Sequence, residues 1–111
     1  MSVSENARWV GTLGVDYARA LAWDDTYIYV AIGQKPAVVI KLDPATMLEV
    51  ARWTGAAGED SARTLAWDGT YIYVGLLTAP GIVIQLDPAT MLEVDRWTGA
   101  AGENYAYALA W

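Results

Sequence analysis

The chain has 111 residues, of which 55% are hydrophobic and 18% charged, and a mean hydropathy of +0.21. Those figures describe one small domain with enough apolar surface for a core, and they exclude a disordered, charge-rich tail. A net charge of −6 argues against nucleic acid and anionic membrane surfaces as partners, and the absence of Cys and His removes thiolate metal sites, the usual general base and every Ser-His or Cys-His device.

The N-terminus, Met1 to Asn6, lacks the positive start and apolar stretch of a secretory signal. Apolar runs such as 27–32 are far shorter than the ~20 residues that span a bilayer. A soluble protein, cytoplasmic or recombinant, is expected.

An internal repeat organises the rest. Trp9, Trp53 and Trp97 recur every 44 residues, as do Trp23, Trp67 and Trp111. Residues 9–52 match 53–96 at 28 of 44 positions, and 97–111 match 53–67 at 11 of 15. Identity this high points to recent duplication or deliberate construction. The chain is therefore a single unit, 1–111, made of repeats 9–52 and 53–96 with a partial copy at 97–111.

In chain order, residues 7–12 resemble the end of a repeat, and each repeat then reads as four short strands. In the second copy the first strand is 63–67, followed by Asp68-Gly69. Asp-Gly between apolar segments signals a hairpin, because the tight turn needs positive φ; the first copy carries Asp24-Asp25 there. The second strand, 71–77, is rich in β-branched and aromatic residues, and a loop with Pro80-Gly81 leads to the third, 82–86. Asp87-Pro88 then opens a turn in which the carboxylate can bond backbone amides two residues on. The fourth strand, 91–97, runs into a glycine-rich linker, 98–103. Residues 105–111 read as one more first strand.

Four strands in about 44 residues match a β-propeller blade. The order strand, Asp68-Gly69, Tyr71-Ile72-Tyr73-Val74, apolar strand, Leu86-Asp87-Pro88-Ala89-Thr90 and closing strand resembles the blades of the NHL, YVTN and quinoprotein-type propellers. The resemblance covers residues 7–111 and implies the fold; propellers host many unrelated activities. The Trp-Asp pairs at 23–24 and 67–68 are out of register with WD repeats, and no segment offers the ligand set of a quinone enzyme, so no cofactor is expected.

The expected fold class is all-β: two four-stranded antiparallel blades plus extra terminal strands, assembling into a closed propeller by homo-oligomerisation. Two stacked sheets have four broad faces, and only two meet within the chain. The others would form large apolar patches that soluble monomers rarely tolerate. Closed propellers typically have 4 to 8 blades, so the partner is the chain itself: a trimer is favoured, with dimer and tetramer as the other closures. Some small fucose-binding lectins share this trimeric two-blade architecture, though not these residues. The surplus terminal strands either exchange between chains, placing Trp9, Tyr105, Tyr107, Leu109 and Trp111 at the interface, or mark a stretch of a longer array.

The aromatic residues, all Trp and Tyr, are the candidate ligand contacts, since such rings stack on the C–H faces of sugars. Trp23, Trp67 and Trp111 end a first strand and are expected to be packed. Trp9, Trp53 and Trp97 stand beside glycine-rich loops, where exposure is expected. Positions that differ between copies add Tyr17, Tyr105, Tyr107, Glu59 and Arg63, the last two spaced as a surface ion pair. Asp24-Asp25-Thr26 lacks the further oxygens of a calcium loop, and no phosphate loop or nucleophile elbow occurs. Two functions follow: a non-catalytic, self-assembling propeller module, or a lectin-like carbohydrate binder with aromatic sites at blade junctions.

Overall fold

The computed structural model describes residues 8–11 and 17–109, and all their regular structure is strand. The strands are β1 (Ala18–Trp23), β2 (Ile28–Ile32), β3 (Val38–Asp43), β4 (Leu48–Thr54), β5 (Ala62–Trp67), β6 (Ile72–Leu76), β7 (Ile82–Asp87) and β8 (Leu92–Thr98). They form two four-stranded sheets of order β1-β2-β3-β4 and β5-β6-β7-β8, and every pairing is antiparallel. The sequence reading of two such sheets, with boundaries within one or two residues, holds.

Local chemistry explains the meander. At the end of β5, Asp68 Oδ1 accepts the amides of Thr70 (2.7 Å) and Tyr71 (2.6 Å), and Oδ2 accepts the Tyr73 hydroxyl (2.6 Å). One carboxylate thereby closes the turn and fixes the entry to β6. Gly69 follows at φ 95°; its counterpart Asp25 takes φ 74°, which costs a non-glycine residue more. Asp24 repeats the bonds to Thr26, Tyr27 and Tyr29. Between β3 and β4, and between β7 and β8, Asp43 and Asp87 accept the amides of Ala45 and Ala89. The register slips at identical places in both sheets, leaving Val50 and Val94 as extra residues in β4 and β8.

The sheets stack with β5 against β1 and β2. Strand alternation gives each sheet two faces. One face of the first sheet (Tyr29, Ala31, Val39, Trp53) meets one face of the second (Leu65, Ile72, Val74, Leu76, Ile84, Leu86) in a single core. Each large side chain withdrawn from water there contributes roughly 1.5–3 kcal/mol. A second cluster on the far face of the first sheet joins Val30, Ile32, Val38, Ile40 and Leu42, with Trp9, Ile28 and Met47 packed on it.

The surplus terminal strands differ from expectation. Residues 8–11 and 103–109 pair with no strand as a ladder. Trp111 lies outside the described residues.

Candidate functional site

The joint between the two sheets is the reference for the open faces. Trp53, at the end of β4, is 7% exposed and packed in the shared core. Just beyond it, Glu59 Oε1 accepts the Ala56 amide (2.9 Å) while Oε2 meets Arg96 Nη1 of the second sheet (2.5 Å). Arg96 also holds Glu93 through Nε and Nη2, so the guanidinium bridges two carboxylates and its pKa is raised by both. Lys41, 8% exposed, donates from Nζ to the Pro88 carbonyl across the joint (2.7 Å) and lies 4.1 Å from the Tyr27 ring centre. Burial of so hydrophilic a group is tolerated because its charge finds both a carbonyl and an aromatic face. Burial, then the hydrogen bond to Asp24, push the Tyr29 hydroxyl well above its ordinary pKa. Burial opposes the Asp24 charge, but the bonds from Tyr29, Tyr27 and Thr26 outweigh it and lower its pKa.

The outer face of the second sheet carries the positions that the first sheet buries. Trp97, the counterpart of Trp53, is 53% exposed. Beside it Tyr73, Val83, Gln85, Asp95 and Arg96 line a shallow cleft of about 210 Å³. The C-terminal segment crosses one end of this face. Gly81 N donates to Glu103 O (2.7 Å), Tyr105 N to Thr78 O (2.8 Å) and Ala106 N to Leu76 O (3.0 Å). The first two repeat Ala37 N to Glu59 O (2.8 Å) and Ser61 N to Gln34 O (2.8 Å), the bonds that lead the chain into β5. Residues 103–106 thus lie on the second sheet as 59–62 lie on the first. Gly75 and Gly81 permit the approach, since a Cβ at either would come within about 3.2 Å of Ala106 or Tyr105 backbone atoms.

The far face of the first sheet is covered over β2 and β3 and open along β1. Leu21 is 69% exposed, whereas its counterpart Leu65 is 8% exposed beneath β1 and β2. Leu21, Ala22, Trp23 and Ile28 line an apolar hollow of about 350 Å³.

No protein-family model matches this chain, and no curated protein matches it either. Among the described residues no cluster of carboxylates could hold a metal ion, and no helix is long and apolar enough to cross a membrane.

The sequence-predicted site residues scatter. Trp9 packs on the far face of the first sheet, Trp53 is sealed between the sheets, and Trp97 lies open on the second, so one repeat position has three environments. The expectation of exposure fails for Trp53, because the second sheet covers it; the expectation of packing fails for Trp23, 49% exposed, because no sheet covers β1 on that side. Glu59 pairs with Arg96 rather than Arg63, since the chain turns away at Ser61 (φ 57°) and Arg63 is the extra residue of the β5 register shift. Tyr17 and Tyr105 occupy the same left-handed position as Ser61, and both are exposed. Tyr105 and Tyr107 stand 6.0 Å apart at the C-terminal end, and Leu109 N reaches Thr64 Oγ1 (3.3 Å). Among the described residues, Trp97 and Tyr105 share a hollow with Gly81, Glu103, Asn104 and Ala106. Sequence reasoning missed Lys41, Arg96 and Leu21; the Lys41/Gln85 and Ala51/Asp95 differences between copies were the available signal.

Proposed function

We propose that this chain is a non-catalytic, self-assembling β-propeller module. Its two sheets act as blades, and copies join head to tail, the outer face of the second sheet receiving the outer face of the next copy's first sheet. One observation carries this reading. Trp53 and Trp97, and likewise Leu65 and Leu21, are equivalent residues whose exposures are 7% against 53% and 8% against 69%. The open member of each pair lies on the side where a further sheet would sit. The outer face of the second sheet and the β1 side of the first sheet's far face match the two halves of a joint that the molecule already makes once internally; the rest of that far face, Val30 to Leu42, is already covered within the chain, so docking must displace its cover. A heterologous contact of this kind gives a ring when its rotation closes.

The terminal segments fit the same scheme. Trp9 lies on the first sheet where a preceding blade's closing strand would place its tryptophan, and 103–106 lie on the second sheet where a following blade's first strand would enter. Each end holds its neighbour's place and is handed over when a second copy docks. Three copies, giving six blades, are the favoured closure. Light-scattering mass tests this: three times 12.0 kDa is expected, and a compact monomer at micromolar concentration would overturn it.

The second reading, a lectin-like ring, is favoured by the cleft beside Trp97, where an aromatic ring stands among Tyr73, Gln85, Asp95 and Arg96. Such a mixture suits a sugar's apolar face and hydroxyl rim. Silence across a glycan array from a well-folded ring would discard it.

A further inference from the structure

We infer that the joint between copies is locked by an ion pair between Glu103 of one copy and Arg52 of the next. The inference rests on the self-assembly reading and specifies the contact that selects the partner. Inside the chain, Glu59 uses one oxygen to cap Ala56 N and the other to reach Arg96, which is already held by Glu93. Every element of that device but one is repeated, 44 positions on for the glutamate and 44 back for the arginine. Glu103 Oε1 accepts Ala100 N (2.6 Å), as Glu59 does with Ala56. Arg52 holds Glu49 through Nε (2.8 Å) and Nη2 (2.7 Å), as Arg96 holds Glu93. Among the described residues neither Glu103 nor Arg52 makes the third bond, the one that crosses the joint.

Stacking the next copy's first sheet on this copy's second, in the geometry of the internal joint, brings Arg52 of the next copy to Glu103. The chain's own N-terminal segment is no substitute. Position 15, the counterpart of 59 and 103, is Val, so the equivalent carboxylate is missing from that segment's sequence. Both groups are prearranged, Glu103 by its amide cap and Arg52 by its two-point grip on Glu49, so little side-chain freedom is lost on pairing. The pair also has more to do between copies than within one. Where the internal joint has Lys41, the outer face of the second sheet has Gln85, which bonds the Tyr73 hydroxyl (3.0 Å), and where the internal joint has Ala51 it has Asp95. The intermolecular joint loses a cation and gains an acid, so its charge matching depends on Glu103 and Arg52.

Dilution series followed by sedimentation or light scattering test this on the full chain. Glu103→Gln keeps an oxygen for the Ala100 amide and removes the charge; it should raise the dissociation concentration about three- to tenfold, with salt reducing the difference. Glu103→Arg and Arg52→Glu should each disrupt assembly further, and the double reversal should recover part of the loss. Glu59→Gln, at the internal joint, should lower the melting temperature of the single chain instead. If the wild-type chain assembles and Glu103→Gln and Glu103→Arg dissociate just as it does, the ion pair is wrong and the ring reading survives. A wild-type chain that stays monomeric overturns both.

Discussion

The two sheets share strand order, bulge positions, turn bonds and most of their residues, yet some equivalent side chains are buried in one and open in the other. The first sheet hides Trp53 and exposes Leu21; the second exposes Trp97 and hides Leu65. Their immediate surroundings in sequence are nearly the same, since both tryptophans follow an Arg and precede Thr-Gly and both leucines precede Ala-Trp-Asp. What differs is the side on which the other sheet lies. A blade-like repeat thus fixes the shape of its faces, and the neighbour decides which face leaves water.

Substitutions at paired positions sharpen that contrast. Trp53→Ala should cost about 3–5 kcal/mol, because it opens a cavity in the shared core. Trp97→Ala should leave the chemical denaturation midpoint of the dilute chain nearly unchanged while weakening assembly. Equal losses at both positions would break the comparison. Leu65→Ala should cost about 2–5 kcal/mol and Leu21→Ala far less under the same conditions. Removing residues 105–111 leaves both sheets their strands, so the melting transition should persist; if the chain self-assembles as proposed, the assembly's mass should fall, and an unchanged mass would show that these residues take no part in the joint.

Smaller effects come from the turns. Tyr29→Phe removes the hydroxyl bond to Asp24 and should cost about 1 kcal/mol, whereas Tyr73→Phe, on the open face, should cost less. Asp24, Asp68, Glu49 and Glu93 all have lowered pKa values in the folded chain, from ordinary values of 3.8 and 4.5. For Asp24 burial works against the shift and the hydrogen bonds prevail; for Asp68 the Tyr73 hydroxyl dominates, and for the glutamates the neighbouring arginines do. The folded chain therefore binds protons less readily than the unfolded chain. Stability should be level above about pH 5 and fall as acid protonates these groups, as an acid titration of the melting temperature would check. Rising stability below pH 4 would contradict these assignments.

The strands, the two Asp-centred turns and the 44-residue period were legible because each rests on chemistry within a few residues: alternation, a carboxylate reaching amides two and three positions on, a position that tolerates positive φ. The candidate site was far less legible. The stacking of sheets brings Lys41 to Pro88, 47 positions away, a contact no local pattern announces. Glu59 stood four residues from Arg63 in sequence and pairs with Arg96 in space.

By itself, then, the sequence determined the repeated four-stranded unit, since periodicity and turn chemistry act over short stretches of chain. The tertiary structure alone decided which copy of the Trp53/Trp97 and Leu65/Leu21 pairs is buried and which is left open. Burial depends on what lies across the face, and identical residues carry no record of their neighbour.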